Sequence, residues 1–202
     1  MVKLRSILLL TACLLLAGGL HGQTKDAQDT TAMNEPEMQT VFEFGPDEAS
    51  WPSIDDVVMG GVSRSEMTLS DGVAIFQGRL SLENNGGFAS VRSRPIRRAL
   101  PADVESFVLR VRGDGRTYGF RLRTNRAFDG VSYQVQFPTR AEEWTEVSVG
   151  ITELEPVFRG RLVRGYAPLR VEEIQTFGFI LADKNPGEFR LEIDWIRAIS
   201  SR

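Results

Sequence analysis

Two segments set short polar side chains against paired glycines: Ile54-Asp55-Asp56-Val57-Val58-Met59-Gly60-Gly61-Val62-Ser63 and Glu83-Asn84-Asn85-Gly86-Gly87-Phe88-Ala89-Ser90-Val91-Arg92-Ser93. Glycine pairs serve where a backbone turns with φ > 0 beside a strand. Asp55 and Asp56 could bind a cation or a hydroxylated ligand through carboxylates near exposed amides. The alternative is a turn in which each aspartate accepts its own backbone N–H groups. No D-x-D-x-D-G spacing is present, so neither a metal nor a cofactor is expected. In the second segment, Asn84 and Asn85 donate and accept at once, Phe88 offers a stacking face and Arg92 a planar fork, a mixture that suits sugars. Its alternative is a hairpin loop with Asn in the left-handed region and Phe88 entering the core.

These residues suggest one groove. Asp55, Asp56, Asn84, Asn85 and Arg92 would face it, flanked by Arg116 and Tyr118 beyond the Gly113-Asp114-Gly115 turn. In the competing arrangement the two loops brace each other, with Asp55 or Asp56 paired to Arg92.

Other chemistry is narrowed by what the chain lacks. His21 is the only histidine and Cys13 the only cysteine, and both lie near the start. A domain without them has no Ser-His or Cys-His nucleophile, no zinc site with N/S ligands and no disulfide. Asp56, Glu83, Asp114 and Glu192 are available to a hydrolase, but no spacing selects a pair of carboxylates flanking a cleft. A carbohydrate-active enzyme is therefore the alternative, and a non-catalytic binding module the main expectation.

Residues 1–22 read as a signal peptide: Lys3 and Arg5, an apolar run from Ile7 to Leu20, then small residues with cleavage after Gly22. This implies export to the periplasm or outside the cell, with no stable membrane span after cleavage. Leu10-Thr11-Ala12-Cys13 resembles a lipobox and gives lipid anchoring through Cys13 as a lesser alternative. Residues 23–38 are polar and aperiodic and read as a disordered linker, leaving 39–202 as one domain. The leader has two of the 24 basic residues and no acid, so the remainder is more acidic than the whole chain's net charge of −3. Nucleic acid is not an expected partner for such a chain, because that binding is driven mainly by neutralising phosphates.

Period-two alternation dominates beyond Val41. Phe107, Leu109 and Val111 alternate with polar or charged neighbours, as do Phe120 and Leu122, Tyr133, Val135 and Phe137, and Leu191, Ile193 and Trp195. With Phe179, these form the expected core. Turns such as Gly113-Asp114-Gly115, Asp129-Gly130 and Asn185-Pro186-Gly187 separate the runs, and Val171–Ile174 fits a single helical turn. Arg110, Arg112, Arg121, Arg123, Gln134 and Gln136 share one parity; on neighbouring strands they would line one sheet face, either as a binding array or as a solvated surface offset by acids.

The two Gly-Gly segments resemble the complex I intermediate-associated protein family. Leu109–Tyr118, Ser132–Phe137, Trp144, Phe158–Arg161 and Gly187–Ile196 extend the likeness, in order, over nearly the whole domain. The resemblance implies a galactose-binding-like jelly roll, an all-β sandwich of two antiparallel sheets. It also implies a role in assembling NADH:ubiquinone oxidoreductase, by holding a protein partner (a respiratory-complex or envelope protein) or a glycan. The family's eukaryotic members work in mitochondria, and the leader departs from them.

Overall fold

The computed structural model describes residues 37–45, 48, 51–127 and 129–201. The segment read as leader, with Cys13 and His21, lies outside the described residues, as does the linker up to residue 36. The compact unit that contains the sandwich runs from Asn34 to Arg202.

Its strands are β1 (Glu37–Glu43), β2 (Arg64–Ser70), β3 (Val73–Leu80), β4 (Ala89–Arg92), β5 (Val104–Arg112), β6 (Thr117–Arg123), β7 (Ser132–Pro138), β8 (Trp144–Gly150), β9 (Glu155–Phe158), β10 (Arg161–Leu162), β11 (Thr176–Leu181) and β12 (Gly187–Ser200). The first sheet has the order β2-β3-β12-β5-β8, with β1 also paired to β12; the second is β10-β9-β7-β6-β11-β4. Every ladder between these strands is antiparallel. This is the expected jelly-roll sandwich. β1 begins at Glu37, opposite Ser200, so strand structure starts ahead of the boundary read at residue 39.

The alternating apolar residues meet between the sheets. Phe76, Phe107, Tyr118, Phe120, Phe177 and Phe179 are fully buried. Phe107 lies edge-on to Phe177 at 5.5 Å and to Phe120 at 5.9 Å, the arrangement that aromatic quadrupoles favour. Burying each such ring contributes about 2–3 kcal/mol, and this core holds the domain without a disulfide. Val171–Glu173 forms the expected short turn, as a 3-10 helix.

Two details depart from the simple alternation. A bulge between Ile193 and Trp195 shifts the register of β12 against β5. Beyond it Ile196 stands opposite Leu109 and takes the core position, while Trp195 stands opposite Arg110 on the outer face. Arg197 covers the Trp195 ring at 3.9 Å. The second departure concerns the arginines. The chain crosses between sheets at Gly113–Arg116, so Arg110 and Arg112 lie on the first sheet and Arg121, Arg123, Gln134 and Gln136 on the second. The single array suggested by parity is therefore two separate faces.

On the first sheet, acids offset the arginines. Arg110 pairs with Asp194 at 3.0 Å and Glu146 at 3.6 Å, and Glu192 accepts from both Arg112 and Arg190. The topology also brings both Gly-Gly loops and the Gly113–Arg116 turn to one end of the sandwich, where β3 and β5 finish and β4, β6 and β12 begin.

Candidate functional site

The Asp55-Asp56 pair lies between the edge strand of one sheet and the edge strand of the other. Residues 52–56 run along β4: Ile54 N–H donates to Ser90 O at 2.7 Å and Arg92 N–H to Pro52 O at 3.1 Å. From there, Asp55 accepts from the backbone N–H and hydroxyl of Ser65 in β2, at 2.7 and 2.6 Å, and from Ser90 N–H in β4 at 3.0 Å. Asp56 accepts from Ser63 N–H at 2.9 Å, Ser63 Oγ at 2.5 Å, Gly87 N–H at 2.7 Å and Phe88 N–H at 3.3 Å. Each aspartate thus ties the first sheet's edge to the second's.

Asp56 explains both glycine pairs. Gly60, at φ 91°, turns the chain in the left-handed region at the end of the Asp56–Met59 3-10 turn. A Cβ on Gly61 or on Gly86 would overlap the Asp56 carboxylate, and Gly87, at φ 129°, presents its amide to it. The four glycines allow two loops to close over one carboxylate. Asp56 has 0% of its surface exposed, so it faces no groove. Burial raises the Asp56 carboxyl, but the Ser63 hydroxyl and the Gly87, Ser63 and Phe88 amides outweigh it, so the group titrates below its ordinary value. The loops are braced, as in the competing arrangement, but by serines and amides.

The other residues of the expected groove go to different places. Asn84 and Asn85, at φ 55° and 59°, are exposed on the left-handed turn of the second loop. Arg92 lies on the outer face of the second sheet, lining a depression with Arg121 and Arg123. Arg116 closes on the loop before β12: it donates to both carboxylate oxygens of Asp183, at 2.9 and 2.7 Å, to Glu188 O at 3.0 Å and to Asn185 O. Tyr118 has no exposed surface and donates to Asp114 Oδ1 at 3.0 Å; burial, then the Asp114 charge, push its phenol upward. Arg116 and Tyr118 therefore flank no groove, because one is a clamp and the other is core.

Above the Asp56 pin, the first loop turns its apolar side chains outward. Val58 is 58% and Met59 57% exposed, and Val57, Val62 and Leu82 of the adjoining loop are also exposed. These exposed aliphatic side chains stand on the two loops that Asp56 joins, the second of which also exposes Asn84 and Asn85. A sign of this was present in the sequence: Val57-Val58-Met59 sits in a loop too short to bury it, but only the burial of Asp56 fixes which way it points.

Two of the carboxylates weighed for a hydrolase, Asp56 and Glu192, are held as anions. Glu192 and Asp56 both titrate below their ordinary values, because donors outweigh burial in each. A general acid needs the reverse shift.

The model of the family described as Complex I intermediate-associated protein 30 matches residues 40–193. The chain belongs to that family. Among its relatives, "Complex I intermediate-associated protein 30, mitochondrial" of Mus musculus is 29% identical over 87% of this chain and 60% of its own length. The Drosophila melanogaster protein of the same name is 26% identical over 79% of this chain and 62% of its own length. The chain therefore spans about three fifths of these relatives. Both are named mitochondrial, which corrects the expectation of export to the periplasm or outside the cell and points to mitochondria instead. The physical reason for the error is that a basic, acid-free start is common to export leaders and mitochondrial transit segments.

Solved structures agree on the architecture. The family 11 carbohydrate-binding module of the Clostridium thermocellum cellulase Lic26A-Cel5E aligns with TM-score 0.63 at 11% identity, covering 82% of this chain and 95% of the module. The same kind of module in complex with a β-1,3-1,4-mixed-linked tetrasaccharide gives 0.62 at 12%, covering 81% of this chain and 96% of the module. At such identity the likeness is one of fold. No helix among the described residues is long and apolar enough to cross a membrane.

Proposed function

We propose that this chain is a non-catalytic binding module that holds a protein partner during assembly of respiratory complex I. The observation that carries this reading is the aliphatic patch of Val57, Val58, Met59, Val62 and Leu82, displayed on two loops that Asp55 and Asp56 hold in place. An exposed apolar surface with polar side chains on the same loops, here Asn84 and Asn85, suits a protein contact. Preformed loops reduce the ordering cost of binding, which favours affinity. The names of the relatives, which associate them with complex I intermediates, supply the class of partner.

A glycan fits less well. Sugars bind on aromatic platforms with converging polar groups, whereas the patch is aliphatic and the outer face of the second sheet carries Ser90, Arg92, Gly119, Arg121, Gln134, Gly178 and Ile180 with no ring among its described residues. A photo-crosslinking residue at position 58 tests the reading in mitochondria. Adducts to complex I subunits are expected from position 58 and not from Glu66 on β2. Equal adducts from both positions, or none from 58, would refute it.

A further inference from the structure

A strand at the end of a sheet presents unpaired backbone groups, and folded proteins usually shield them. Here β4 is covered by residues 52–56, β10 has only two residues, and β2 is tied at Ser65 to Asp55. β8 has no such device. Its sequence, Trp144-Thr145-Glu146-Val147-Ser148-Val149-Gly150, contains no proline, lysine or bulge. Among the described residues, no strand pairs with the edge that faces away from β5. Thr145, Glu146 and Val147 instead line an open groove of about 630 Å³ with Pro138, Thr139 and Arg140.

The apolar layer between the sheets is also unfinished on this side. Val147 stands opposite Leu109 on the inner face, and Val135 of β7 stands opposite Phe120. Leu109 and Phe120 have no exposed surface, whereas both valines are only half-buried. β9 reaches along β7 only as far as Gln134, which leaves Val135 uncovered.

We propose that a second copy of this chain pairs with β8, antiparallel, about a two-fold axis at Val147. The strand's own sequence selects this occupant. With Val147 opposite the partner's Val147, all seven residues pair. Glu146 then meets the partner's Ser148, and Trp144 the partner's Gly150, so the only charge meets a hydroxyl and the largest ring covers a glycine. An axis between two residues would set inner side chains against outer ones. An axis at Glu146 would oppose two carboxylates, and one at Ser148 would leave Trp144 unpaired. The chosen pairing joins the two first sheets edge to edge over about 20 Å and brings the half-buried valines together. It shares no residue with the loop patch.

Sedimentation equilibrium of the full chain measures the dimer, and Ser148 is the reporter because its side chain is exposed. Ser148→Glu opposes carboxylates at both symmetry-related positions and should weaken association about tenfold. Ser148→Arg faces Glu146 and should tighten it severalfold, and both variants should melt as the parent does. In a Cys13→Ser background, Val147→Cys should form an intermolecular disulfide under mild oxidation, since opposed Cα atoms lie about 4.5–5.5 Å apart. Thr68→Cys, exposed on β2, should not. The proposal is overturned by a parent that stays monomeric at high micromolar concentration, by Ser148 variants that associate as the parent does, or by equal cross-linking from positions 68 and 147.

Discussion

Asp56 determines the local architecture more than any other side chain, since it satisfies a hydroxyl and three amides from two loops. Asp56→Ala leaves those donors buried without an acceptor and should cost about 3–5 kcal/mol, read as a lower urea midpoint. The glycines separate space from backbone conformation. Gly61→Ala and Gly86→Ala drive a methyl into the Asp56 carboxylate and should each cost about 1–3 kcal/mol. Gly60→Ala meets open space and bears only the left-handed strain of about 1–2 kcal/mol. The ionised Asp56 has a folded pKa below its unfolded value near 3.8. Its contribution is therefore complete above that value and lost as pH falls through the lower, folded one. Asp183 and Glu192 are shifted the same way. Urea midpoints measured at decreasing pH should drop steeply for the parent and less for Asp56→Asn; parallel curves would show that Asp56 is not the group responsible. Asp beside Gly-Gly was visible in the chain as turn chemistry. Its distant partners were not, because Gly87 and Phe88, like the Ser90 that donates to Asp55, are more than thirty residues away and only the closed sandwich brings them close.

Strand alternation sufficed to name Phe107, Leu109, Phe120, Leu122 and Leu191 as core, because a half-buried strand repeats every two residues. Trp195 is buried as expected, at 9% exposure, but an extra residue in β12 turns it to the other face of the sheet, away from the inter-sheet cluster. Alternation failed for the arginine array, since parity cannot tell a hairpin within one sheet from a crossing between two. The Gly113–Arg116 crossing is held by the Arg116 fork on Asp183, with side chains only 10% and 17% exposed. Arg116→Ala should cost about 3 kcal/mol, because it leaves the carboxylate unpaired in a sheltered place. A double-mutant cycle with Asp183→Ala should give a coupling of about 1–3 kcal/mol; additive losses would mean that the two side chains do not act together.

For the whole molecule, the sandwich is a support: its aromatic core fixes two sheets, the aspartate pair joins their edges, and the joined loops carry an aliphatic surface outward. The fold and family could be read from the order of the two Gly-Gly segments and the five that follow them. The proposed surface could not, because Asp55 and Asp56, which suggested a groove, are consumed in building the loops. The central claim is that the surface, rather than a groove of carboxylates, holds a partner in complex I assembly. Native-gel co-migration of the chain with complex I subassemblies, compared between the parent and a Val58→Asp/Met59→Asp double variant, tests it most directly. Because both side chains are more than half exposed, the variant should keep the parent's melting temperature while its co-migration is lost. Unchanged co-migration of a folded double variant would contradict the claim.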